Sequence, residues 1–159
     1  MRYLLIDRLI ELVPHEHAVS TKVFTGEEDF FRDHFPGFQV VPGALLTEAM
    51  SQTAGWLIAA SVGFTRWPLL SMVHAAKFRR FAAPGDTLRV EARIESMQTH
   101  VCTARAGVTR ADTRIADASL SFQMFVPETL GEGHSSFATW SRETFDDLGG
   151  AALLERGRP

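Results

Sequence analysis

One stretch constrains this chain more than any other. Ala44 to Ala60, entered through Pro42-Gly43, is rich in Ala, Leu and Met and holds a single charged residue, Glu48. Those residue types favour a helix. Apolar side chains fall on nearly every side of it, so the helix must be enclosed rather than laid on a surface. Beyond residue 68 the period changes. Thr87–Glu95 sets Leu88, Val90, Ala92 and Ile94 against Arg89, Glu91 and Arg93, the alternation of a half-buried strand. Leu69–Phe78, His100–Val108 and Arg114–Val126 read as further strands, the last keeping Ala116, Ala118, Leu120, Phe122 and Met124 on one face. Pro84-Gly85-Asp86 and Thr109–Asp112 read as turns. Earlier, Ala18–Phe24 is a strand with Val19, Thr21 and Val23 on one face, and residues 3–13 fit a short helix or turn running into a strand. One buried helix with several long antiparallel strands is an α+β architecture.

The 159 residues suit one domain of this kind, and twelve Phe and three Trp exclude a natively disordered chain. Residues 127–159 differ in character: they hold five of the twelve Gly residues and scattered acids. They are expected to form a peripheral or partly disordered extension to a domain over 1–126, with Ser141 capping a short helix. Cys102 stands alone, which excludes an intrachain disulfide and suits a reducing compartment. The opening residues meet Asp7 before an apolar run develops, unlike a secretory leader. The low-charge stretch from Phe35 to Arg66 is broken by Pro36, Pro42, Glu48 and Gln52, so no membrane span is expected. These features lead to the expectation of a soluble, cytoplasmic protein.

The net charge of −3 argues against a general nucleic-acid binder. It hides an asymmetry: residues 1–65 balance at −4, residues 66–114 at +5 and residues 115–159 at −4. The basic middle is either a docking face for an acidic or phosphate-bearing partner or the solvated face of strands.

Three positions can carry chemistry. Glu48 is a carboxylate on an apolar helix; lost hydration would make it hold its proton more tightly and act as an acid, unless a partner merely satisfies it. His34 precedes Phe35-Pro36-Gly37, a turn able to present an imidazole at a fixed angle, though a lone His is commonly structural. Gly43 opens the helix, where free N–H groups can meet a ligand oxygen at close range. A Pro-Gly pair is also an ordinary loop-to-helix junction. His15 and His17 lack a third ligand nearby, so no metal site is expected. A base, an oxyanion site and a proton donor together are what elimination of water from a thioester requires.

The run His34-Phe35-Pro36-Gly37-Phe38-Gln39-Val40-Val41-Pro42-Gly43-Ala44-Leu45-Leu46-Thr47-Glu48-Ala49-Met50-Ser51-Gln52 resembles the signature of the FabZ-type 3-hydroxyacyl-acyl carrier protein dehydratases. Tyr3–Arg8 and Ala76–Arg80 with Pro84-Gly85-Asp86 are similar to two further family elements, so the resemblance covers roughly residues 2–126. It implies a hot-dog fold, a long antiparallel sheet wrapped around one central helix. It implies a homodimer, often assembled as a trimer of dimers, with the His from one subunit and the acid from the other. Carried over, His34 takes the C2 proton of a 3-hydroxyacyl thioester and Glu48 of the partner chain protonates the departing hydroxyl. The Gly43 N–H polarises the carbonyl, and Gln52 orients Glu48. Ala44 and Phe35 complete the substrate-binding set. The substrate rides on the phosphopantetheine of acyl carrier protein or on coenzyme A, and no cofactor is implied. Lys77, Arg79 and Arg80 are the candidates for the carrier-protein docking face.

Glu rather than Asp at position 48 is similar to the dehydratase branch rather than the dehydratase/isomerase branch. Gln39 replaces a proline of the family pattern, Phe81-Ala82-Ala83 replaces its Pro-Val stretch, and the tail from Pro127 has no counterpart. These departures suggest a specialised paralogue serving a secondary pathway. Two alternatives stand beside the dehydratase: a hot-dog thioesterase, with Glu48 directing water, and a non-catalytic acyl-carrier binding protein.

Overall fold

The computed structural model describes residues 3–156. Six strands form one antiparallel sheet: β1 (Arg8–Val13), β2 (His17–Val23), β3 (Trp67–Phe78), β4 (Thr87–Met97), β5 (Val101–Arg110) and β6 (Thr113–Phe125). Their order across the sheet is β1-β2-β4-β5-β6-β3. Helix α1 (Gly43–Ser61) lies between β2 and β3 in the chain and packs against every strand of the sheet. Two more helices, α2 (His134–Asp147) and α3 (Gly150–Arg156), close the described chain.

The enclosed character expected of α1 is found. Leu46, Ala49, Met50, Ala54, Trp56, Leu57, Ile58 and Ala59 are buried, and they occupy more than one face of the helix. The sheet supplies the other wall through alternate residues: Leu88, Val90 and Ala92 of β4, Ala104 of β5, and Ala116, Ala118, Leu120, Phe122 and Met124 of β6. Each large side chain buried here contributes roughly 1.5–3 kcal/mol relative to exposure, so the wrapped helix is where most of the hydrophobic stabilisation resides. The β5–β6 turn carries positive φ at Ala111 and Asp112, as a two-residue hairpin with the right twist requires.

Over residues 3–13 the alternative of a turn running into a strand is the one found: residues 8–13 are a strand paired with β2, with Leu9 and Leu12 buried on either side of a register shift between Leu9 and Glu11. In β2, Val19, Thr21 and Val23 share one face as expected, and the opposite face, that of Ala18 and Ser20 continued by Phe24 just after the strand, is the one toward α1. The polar Ser20 is tolerated inside because its Oγ meets Thr53 Oγ1 of α1 at 2.7 Å, and Thr53 in turn donates to the Ala49 carbonyl. The C-terminal segment is not peripheral as far as Arg156. Phe145 and Leu148 are buried in a second cluster with Ile6, Leu9, Leu12, Trp56 and Leu57. Ser141 caps nothing; it lies within α2, buried, with its hydroxyl donating to the Ala138 carbonyl.

Much of the basic middle is spent within the sheet. Arg93 lies opposite Arg105 in the β4–β5 register, and Glu91 and Glu95 relieve that repulsion with ion pairs of 2.8 Å each. Among the described residues no helix is long and apolar enough to cross a membrane.

Candidate active site

The loop before α1 is held by its ends. Val40 and Val41 are buried, and the Val41 N–H donates to the Ala82 carbonyl at 2.8 Å. Between them and a 3₁₀ turn at Asp29–Arg32 the chain doubles back, with a cis His34–Phe35 peptide and Gly37 at φ 80°. His34 is half-buried, and its Nδ1 lies 3.1 Å from the Val40 carbonyl oxygen. A carbonyl only accepts, so Nδ1 is the donor in this contact, and Nε2 is the nitrogen left to face away from it. The Phe35 ring stacks on the imidazole at 4.4 Å and is otherwise exposed.

Gly43 begins α1 after Pro42, whose fixed φ suits the junction. The first N–H groups of a helix have no acceptor within it, and here they belong to Gly43 and Ala44, the latter exposed. A Cβ at Gly43 would sit 3.1 Å from the Phe78 ring, tighter than an ordinary contact, so the close approach of β3 to the helix start favours glycine.

Glu48 lies one turn further on, half-buried rather than enclosed as its helix suggests. Its Oε1 accepts from Gln52 Nε2 at 2.9 Å, the i,i+4 geometry of a helix face. Gln52 is itself fixed on two further sides: Nε2 donates to the Tyr3 carbonyl and Oε1 accepts from the Leu5 N–H, both at 2.8 Å. A donor on one side and an acceptor on the other leave one orientation for that amide. Glu48 and Gln52 face an apolar cleft of about 260 Å³ shared with Trp56, Trp67, Leu69 and Trp140. His34 does not line that cleft.

The sequence matches a FabA-like domain over residues 1–119. The chain belongs to the FabA-like family. Among its relatives, the 3-hydroxyacyl-[acyl-carrier-protein] dehydratase FabZ of Chloroflexus aggregans is 37% identical over 127 residues, covering 79% of this chain and 88% of that protein. The FabZ of Acidiphilium cryptum is 38% identical over 135 residues, covering 82% and 81%. Solved structures share the fold at lower identity: a conserved protein of Pseudomonas aeruginosa has a TM-score of 0.62 at 20% identity, covering 74% of this chain and 87% of that one. The dehydratase heterocomplex ApeI:P of Xenorhabdus doucetiae has 0.55 at 21%, covering 72% and 96%. The expected α+β hot-dog fold is thus found, both in the sheet wrapped around α1 and in these neighbours.

Phe78, Arg79, Arg80, Phe81 and Arg110 line a surface depression, which places two of the basic candidates beside the residue that packs on Gly43. Arg79 is engaged by Asp117 at 3.2 Å and Arg110 by Asp86 at 2.7 Å. Lys77 and Arg80 have no ion-pair partner among the described residues. His17, one of the discounted histidines, meets Glu11 instead. The residues that sequence reasoning misses are the aromatic walls of the cleft. Trp140 is the least visible, although Phe137, Trp140, Thr144, Phe145 and Leu148 recur at helical spacing in the tail.

Proposed function

We propose that the protein is a hydro-lyase that converts a 3-hydroxyacyl thioester, carried on acyl carrier protein, to the trans-2-enoyl thioester and water. The observation that carries this reading is the Gln52 amide, locked by the backbone of residues 3 and 5, holding Glu48 toward an apolar cleft on the helix that begins with Gly43. His34 Nε2 takes the C2 proton. The electron pair forms the C2–C3 double bond, the C3–O bond breaks, and Glu48 gives its proton to the leaving hydroxyl. The N–H groups of Gly43 and Ala44 stabilise negative charge on the thioester oxygen. Phe35 shields the imidazole. Side chains supply the acid and the base, so the step calls on no cofactor.

The active unit is a homodimer in which one subunit's His34 meets its partner's Glu48. Two features support it. His34 lies outside the cleft holding its own chain's Glu48, and β3 ends the sheet with Leu69, Met72 and Val73 exposed. A bare apolar edge strand is a template for a second copy. Lys77 and Arg80 on the continuation of that strand would draw in the acidic carrier protein. The protein would work in the cytoplasm, where Cys102 stays reduced.

The test is hydration of a crotonyl thioester, followed by loss of enoyl absorbance. The native protein should be active, and His34→Ala and Glu48→Gln should each lower kcat by at least about 100-fold, the usual worth of a general acid or base, with the dimer intact. Full activity in either variant, or release of free thiol instead of hydration, would reject the assignment.

A further inference from the structure

The cleft beyond Glu48 has a definite far end. Glu48, Gln52 and Trp56 follow one another at four-residue intervals, with Gly55 three residues after Gln52, so they form one stripe along α1. From Glu48 to Trp56 that stripe is about 12 Å long, at the rise of an α-helix. At its end three indoles converge: Trp140 of α2 lies 6.2 Å from Trp56 and 5.9 Å from Trp67, centroid to centroid. Phe137 backs the group at 5.2 Å from Trp67. Trp140 differs from the packing residues of its own helix. Phe145 is 3% exposed, whereas Trp140 is 47% exposed and lines the cleft. It also comes from beyond residue 119, where the family match stops. The C-terminal segment thus supplies one of the three indoles of this wall, and α1 and β3 supply the other two.

We infer that Trp140 is the stop of the acyl channel and sets the longest chain the site accepts. The inference rests on the dehydratase reading and names which substrates within that class are taken. With the reacting carbons at Glu48, the acyl tail has one apolar direction to follow, along α1 toward Trp56. Tail carbons gain by leaving water until they reach the indole of Trp140. Beyond that point a longer chain must displace the ring from its contacts with Trp56 and Trp67. The site thus favours short and medium acyl chains, and the selection resides in a residue that neither holds nor moves a proton.

The test compares kcat/KM for 3-hydroxybutyryl and 3-hydroxyhexadecanoyl thioesters of pantetheine, using the full-length protein. The native protein should favour the shorter substrate. Trp140→Ala should raise the long-to-short ratio about tenfold or more, the scale on which a misfitting apolar group is discriminated. Trp140→Phe, which keeps a ring in place, should hold the native ratio. Trp140→Leu, which keeps the site apolar, should raise the ratio too, and it stands in should the smaller side chain unsettle α2. An unaltered ratio in Ala and Leu variants, an equal fall for both substrates, or a native protein indifferent to chain length overturns the inference while leaving the dehydratase reading in place. A native protein that turns over neither substrate removes both.

Discussion

The two edges of the sheet are finished in opposite ways. At the β1 edge the chain covers itself: the Leu9 N–H donates to the Leu148 carbonyl at 2.9 Å, and Phe145 and Leu148 seal the apolar side. At the β3 edge nothing among the described residues does this. Leu69 is 50% and Met72 55% exposed, and β3 shows little burial on either face beyond Pro68. The β1 edge is thus covered by the C-terminal helices, whereas the 12-residue edge strand β3 stays open, and an open apolar edge strand is a template for a second chain. The difference teaches which edge to test for a second copy: the cleft with Glu48 is bordered by the first residues of β3, and His34 does not line that cleft.

Breaking the β3 edge should have the largest effect. Met72→Asp with Val73→Asp places like charges where two copies would meet, and burying unpaired charge costs several kcal/mol. The protein should sediment as a folded monomer and lose crotonyl-thioester hydration. A variant that remains a fully active dimer would refute the assignment of this edge. Breaking the capped edge should act on stability instead. Phe145→Ala empties a site packed against Trp56 and Phe64 and should cost about 3–5 kcal/mol in urea unfolding. A change below about 1 kcal/mol would mean that the C-terminal helices are not part of the capped edge's core.

The smallest effect sharpens the comparison at the surface of the capped edge. The hydrogen bond from His17 Nε2 holds the Glu11 carboxyl below its ordinary value of 4.5, aided by the charges of His17, Arg89 and Arg93 against slight burial. The folded form binds that proton more weakly than the unfolded chain. Its contribution is therefore complete above the ordinary value and fades as pH falls through the lower folded one. The pair is solvent-exposed, so Glu11→Gln should lower stability by no more than about 0.5–1 kcal/mol at neutral pH. The variant and the native protein should converge in acid. A constant gap from pH 7 to acid in the unfolding midpoint would contradict this.

Sequence reading reaches the parts of the molecule where one physical signal dominates. α1 is legible because an apolar surface on all sides has one outcome, and β4 and β6 because their alternation is strict. The His34–Gln52 signature is legible as a spacing. The tail is not: its acids, glycines and serines suggest solvent, and the stripe from Phe137 to Leu148 finds its apolar partners, Ile6, Leu9 and Trp56, far away in the chain. The inward face of β2 is hidden because Ser20 has the chemistry of an outward residue, and only Thr53 opposite makes it an inward one. An apolar helix points to an enclosed Glu48, but the helix borders a cleft there rather than a filled core.

The Gln52 amide has a consequence for observing the enzyme at work. Its oxygen accepts from the Leu5 N–H while its nitrogen donates to Glu48, so one rigid planar group links a backbone proton to the carboxyl. Polarisation passes through such a link, and a change of charge on Glu48 alters the strength of the bond at Leu5. The Leu5 amide resonance is thus a built-in reporter of the Glu48 carboxyl, legible by nuclear magnetic resonance without a label in the cleft.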